Sequence, residues 1–193
     1  MVILGIDPGL AETGFGVLRD GRVIAQGAFR SATGEPLSER IGSIVNRMDN
    51  LIRRERPDAC AVETLFFRGV GARSVILSAH LRGGLFYLLG KRGIPVTELT
   101  PATIKLTLTG NGRAAKRQMQ YMVRTLLGIR ETVPDHAADA LAAAYCLAKK
   151  IKTATPPLSG RLGDTTPSSV PFDGRLETRR RMPDRTRSGA RRQ

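Results

Sequence analysis

Three carboxylates stand where the apolar pattern around them does not call for charge. Asp7 closes the apolar run 2–6 immediately before Pro8-Gly9, Glu63 closes the short run 59–62, and Asp139 lies in an alanine-rich stretch three residues after His136. A spacing of three puts His136 and Asp139 on one face of a helix. If the first and fourth apolar runs are adjacent parallel strands, Asp7 and Glu63 both sit at carboxyl ends, where open α/β sheets place their ligand sites. Oxygen donors joined by one imidazole suit Mg²⁺ or Mn²⁺, hard ions that bridge carboxylates and phosphate oxygens. Zn²⁺ would call for Cys and more His. Cys60 and Cys146 have no zinc-type spacing and sit among alanines and aliphatics, as reduced, buried small hydrophobes do. Each acidic residue also has a plain structural reading taken alone. Asp7 forms a turn with Pro8-Gly9, Glu63 ends a strand in solvent, and His136 and Asp139 complement a helix N-terminus.

The elements that would hold these groups can be read from periodicity. Residues 2–6 form a buried strand, and 14–19 and 22–29 form two more, joined by Asp20-Gly21, the preferred pair for a two-residue hairpin. From Pro36 the apolar residues Leu37, Ile41, Ile44, Val45, Met48, Leu51 and Ile52 step by three and four, which predicts an amphipathic helix ending in basic residues. A strand at 59–63 follows. The next helix, 71–92, carries apolar residues around almost its whole circumference and so must be covered on two sides; another copy of the chain is the favoured second cover, and burial within this fold is the competing explanation. A strand at 94–99, a short helix opened by Thr100-Pro101, a helix at 113–127 and a last helix at 134–150 complete the order. The fold class is α/β, a mixed five-stranded sheet with helices on both faces.

The chain has 193 residues, with 31 Lys plus Arg against 17 Asp plus Glu and a net charge of +14. One core fits that length, which excludes a large multidomain motor or synthetase. A charge this positive favours a polyanion such as nucleic acid. A domain at 1–150 holds 21 basic and 13 acidic residues, and the tail 151–193 holds 10 and 4. The tail shows no apolar periodicity and reads as disordered, either a solubilising extension or, the reading slightly favoured, a non-specific clamp on phosphates. No apolar stretch approaches the roughly 20 residues that span a bilayer, and no basic region precedes the N-terminal apolar run. No membrane association and a cytoplasmic location are expected.

Gly5-Ile6-Asp7-Pro8-Gly9, Val62-Glu63 and His136-Ala137-Ala138-Asp139-Ala140-Leu141-Ala142, in this order and with Met122–Leu127 between them, resemble the RuvC family of Holliday junction resolvases over residues 1–150. The resemblance implies an RNase H-like fold and a homodimer that cuts opposing strands of a four-way DNA junction after RuvA and RuvB have migrated the branch. It implies recombination and repair as the setting and 5′-phosphate and 3′-hydroxyl products. Asp7, Glu63 and Asp139 match the family's metal-binding acids. His136 stands where many members have another Asp, a departure that lowers the negative charge of the set. On this reading two Mg²⁺ ions, with Mn²⁺ as a substitute, are shared by Asp7, one held with Glu63 and the other with His136 and Asp139. Lys116 stabilises charge in the transition state, and Lys105 lies near the scissile phosphate. Phe66 matches an aromatic used near the junction centre, beside Arg68. Arg73 and Arg113 complete the expected DNA contacts.

Rival readings are an actin-like ATPase, an RNA-directed nuclease of the same fold and a junction-binding protein without activity. The first needs a second phosphate loop and an adenosine pocket, for which 193 residues leave no room.

Overall fold

The computed structural model describes residues 1–65 and 72–154, all within a unit spanning Met1–Pro157. The order is β1 (Val2–Asp7), β2 (Glu12–Arg19), β3 (Arg22–Arg30), α1 (Leu37–Glu55), β4 (Ala59–Glu63), α2 (Ala72–Lys91), β5 (Val96–Leu99), α3 (Pro101–Thr109), α4 (Lys116–Leu127) and α5 (Asp135–Ala154). The five strands form one sheet in the order β3-β2-β1-β4-β5. Strands β1, β2 and β3 are an antiparallel meander, and β4 and β5 add parallel to β1. The expected mixed five-stranded sheet is present, and Asp20 and Gly21 take the left-handed conformations (φ 51° and 83°) that a tight hairpin between Arg19 and Arg22 requires.

Alternation along the strands sorts the core into two layers. Ile3, Leu18, Ala59 and Ala61 face α3, α4 and α5, while Leu4, Ile6, Val17, Cys60 and Val62 face α1 and α2. Helices therefore cover both faces. On the α5 side the packing is unusually close. An added Cβ at Gly5 would lie 1.9 Å from the Ala140 carbonyl oxygen, and one at Gly14 would lie 1.9 Å from that of His136. Gly16 meets Leu141 in the same way. Strand glycines facing an alanine-rich helix let backbone approach backbone, and this contact sets α5 beside the end of β1.

Three element starts differ from the sequence expectation. Strand β2 starts at Glu12 rather than 14, because pairing with β1 continues to Asp7 opposite Gly14. Strand β5 starts at Val96 rather than 94, since the Ile94 N–H is committed to the Leu89 carbonyl (3.0 Å) and Pro95 has no N–H. Helix α4 starts at Lys116 rather than 113. Asn111 holds the preceding turn by accepting from the Arg113 N–H at its side chain (2.9 Å) and from the Ala114 N–H at its carbonyl (3.1 Å). Helix α5 also runs to Ala154, past the boundary at 150.

Among the described residues, helix α2 is packed on one side. Leu81, Leu85, Leu88 and Leu89 are buried, whereas Ile76 and Tyr87, three helical turns apart on one stripe, are 53% and 74% exposed. No described helix is long and apolar enough to cross a membrane.

Candidate active site

Odd-numbered residues of β1 and β4 face α5, so Asp7 and Glu63, at the adjacent carboxyl ends of two parallel strands, project toward the helix that carries His136 and Asp139. The loop after Asp7 is fixed by the buried Thr13, whose hydroxyl donates to the Gly9 carbonyl (2.8 Å). His136 Nδ1 lies 2.7 Å from Asp7 Oδ2, a contact across 129 residues of chain. One turn further along α5, Asp139 enters the same field.

The electrostatics record this convergence. Burial, then the negative charges of Asp7 and Asp139, push the Glu63 carboxyl up to about 7, against the opposing pull of Lys105. Burial and then Asp7 raise Asp139 above its ordinary range, with Lys116 and His136 opposing. Burial and neighbouring negative charge thus raise both Glu63 and Asp139, a condition that a bound dication relieves. Among the described residues no three of these side chains already converge on one ion position, and Asp7 is turned toward His136. The donor chemistry is that of a hard cation, and burial of Cys60 pushes its thiol up, away from the thiolate that a soft metal would use.

Beside the carboxylates lies a cavity of about 350 Å³. Glu63 and Asp139 form one side of it, Lys105 and Lys116 supply positive charge, and Pro101, Ile104, Met119 and Ala142 give an apolar floor. Lys116 is held by Asp135 (Nζ to Oδ2, 2.7 Å), which also accepts from the Gln120 amide (2.5 Å). The Asp135 hydrogen bond is the main reason the Lys116 ammonium is raised, and in return Lys116 lowers Asp135. Asp135, next to His136 in the first turn of α5, is thus turned to a lysine of the cavity rather than to the other carboxylates. A salt bridge across nineteen residues left no local signal in the sequence.

Arg73 and Arg113 are exposed, outside the cavity, and Phe66 and Arg68 lie outside the described residues. The close packing of Gly5, Gly14 and Gly16 on α5 was missed as a positioning device. Alternate glycines on paired strands opposite an alanine-rich segment were the available signal.

A site of acidic strand ends facing a helix on this sheet order is specific enough to compare with known proteins. The family model described as "Crossover junction endodeoxyribonuclease RuvC" matches residues 3–147. The chain belongs to the RuvC family. The crossover junction endodeoxyribonuclease RuvC of Halorhodospira halophila is 42% identical over 147 residues, covering 75% of this chain and 87% of that one. The protein of the same name from Desulforamulus reducens is 41% identical over 154 residues, covering 77% and 94%. Among solved structures, T. thermophilus RuvC in complex with Holliday junction substrate superposes with a TM-score of 0.75 at 34% identity, over 80% of this chain and 96% of that one. The fold is accordingly RNase H-like, and membership places the chain among nucleases, which are hydrolases. The ATPase reading falls away.

Proposed function

We propose that this RuvC family chain resolves four-way DNA junctions by divalent-metal-dependent hydrolysis of one phosphodiester on each of two opposing strands. The observation that carries this reading is the convergence of Asp7, Glu63 and Asp139 on one end of the sheet, beside a cavity with two lysines. A relative solved with Holliday junction substrate supports the substrate class.

Asp7, Glu63, Asp139 and His136 would hold Mg²⁺, or Mn²⁺ in its place, with Asp7 central to the set. Such ions supply Lewis acidity at a phosphoryl oxygen and a nucleophilic water at neutral pH. Lys105 and Lys116 place positive charge where a scissile phosphate enters, and the Asp135 carboxylate keeps Lys116 charged and aimed along the cavity wall. His136, bonded to Asp7, fixes the carboxylate's orientation and adds a nitrogen donor to the set. Phe66, Arg68, Arg73 and Arg113 are proposed to contact the junction, and the surplus of positive charge draws the phosphate backbone.

Two cuts on one pseudo-symmetric junction need two sites related by a two-fold axis. The exposed Ile76 and Tyr87 stripe on α2 supports a homodimer formed through that helix. Handover from RuvA and RuvB, and a role in recombination and repair, follow from the same reading. The test is product chemistry. Cleaved strands should carry 5′-phosphate and 3′-hydroxyl ends that a ligase seals, cleavage should stop in EDTA and return with Mg²⁺, and ends that resist ligation would contradict the mechanism.

A further inference from the structure

The Glu63 carbonyl has an unusual hydrogen-bond donor. In a parallel ladder the N–H and C=O of one residue point to the same neighbouring strand. Cys60 and Thr64 donate to Pro95 and Leu99 on the β5 side (2.9 and 2.8 Å), so the main chain of Glu63, one residue out of phase, faces β1. There the β1–β4 ladder ends at Ile6 opposite Val62. The next β1 residue of the same parity is Pro8, which has no N–H to give. A carbonyl at the catalytic tip of β4 is left without a strand partner by the same Asp-Pro pair that turns the chain after β1. A carbonyl withdrawn from solvent without a donor is costly.

Arg82 fills that place from the opposite face of the sheet. The residue is only 7% exposed, on α2. Its Nη1 donates to the Glu63 carbonyl at 2.6 Å, its Nη2 to Glu98 Oε2 on β5 at 2.5 Å, and its Cζ stacks 4.5 Å from the Phe86 ring centroid. A buried guanidinium with two acceptors and an aromatic face is held in one orientation. The carboxyl group of Glu63 hangs from the peptide so fixed.

We infer that Arg82 is a positioning residue for Glu63, replacing the strand donor that Pro8 cannot supply and thereby setting where the carboxylate meets a divalent ion. The inference rests on the metal-dependent reading above and extends it to a residue on the far side of the sheet. Partners that orient metal ligands in this way change metal affinity or activity by about 10–100-fold when removed.

Full-length wild type, Arg82→Met, Arg82→Lys and Glu98→Gln are compared by Mn²⁺ calorimetry without DNA, single-turnover cleavage of a four-way junction, junction affinity in EDTA, and melting temperature. Arg82→Met should weaken Mn²⁺ binding and slow single-turnover cleavage by at least about tenfold. Its junction affinity in EDTA should stay within about twofold of wild type, because no DNA contact is lost. Arg82→Lys, which can reach one acceptor but not both, should recover part of the Mn²⁺ affinity. Glu98→Gln leaves the Glu63 contact in place and should stay near wild type in both metal binding and rate. If Arg82→Met does not fold, a weaker Mn²⁺ affinity in a normally melting Arg82→Lys still supports the role.

Folded Arg82 variants with lowered melting temperature but wild-type Mn²⁺ affinity and rate would overturn it, as would a Glu98→Gln defect as large as that of Arg82→Met. A wild-type protein that neither binds Mn²⁺ nor cuts the junction would instead contradict the metal-dependent reading itself.

Discussion

Glu63 carries a consequence that does not need DNA to be tested. Its carboxyl, raised from 4.5 to about 7, binds a proton more tightly in the folded protein than in the unfolded chain. The stability this confers is complete below the unfolded value and is lost as pH rises through about 7. In EDTA, Glu63→Gln should therefore melt like wild type near pH 4 and above it at pH 8, and a difference that does not change with pH would contradict the assignment. Mg²⁺ or Mn²⁺, which competes with that proton, should raise the wild-type melting temperature more at pH 8 than at pH 5.5. Lys116 and Asp135 are both 57% exposed, and a pair so open to solvent adds little to stability. Asp135→Asn should leave stability almost unchanged while slowing cleavage several-fold, and an unaffected rate would show that Lys116 needs no partner. At this scale the acidic set was legible because each member is a charge where the surrounding apolar pattern does not call for one. The Asp7–His136 and Lys116–Asp135 contacts were not, because pairing across long stretches of chain leaves no periodic trace.

Among the elements, α5 and the first two strands decide the site. Gly14→Ala would place a methyl 1.9 Å from the His136 carbonyl oxygen, so the first turn of α5 must move. Overpacking of this kind costs about 1–3 kcal/mol. Cleavage should fall further than stability accounts for, since His136 moves away from Asp7, while Gly42→Ala on α1, where an added methyl meets open space, should leave the rate unchanged. Differential scanning calorimetry alongside cleavage rates would check this, and a Gly14→Ala protein of normal rate would show that the close approach is not what sets the site. The elements themselves were readable from steps of two and of three to four residues. Their starts were not, where Asn111, Pro95 and the extended β1–β2 pairing overrode the local pattern. The tight seating of α5 needed the sheet order before Gly5, Gly14 and Gly16 could be seen to share a face.

For the whole molecule, symmetry and charge govern how a junction is handled. Ile76→Glu with Tyr87→Glu should give a monomer by sedimentation that nicks one strand at a time, and a dimer that survives both changes would move the interface off this stripe of α2. Removing residues 158–193, which spares α5, should flatten the dependence of junction affinity on salt without altering the cut positions. An unchanged slope would remove the tail from the DNA-binding surface. The excess of positive charge was visible in composition alone, but the dimer surface required knowing which side of α2 the core had already taken. The most direct measurement is cleavage of a labelled four-way DNA junction, beside linear duplex and an RNA/DNA hybrid, in Mg²⁺ and in Mn²⁺, with Asp7→Asn as control. Paired, ligatable nicks on opposite strands of the junction alone, absent in Asp7→Asn, are predicted. Preferential cutting of the hybrid, or tight junction binding with no cleavage in either metal, would contradict the account.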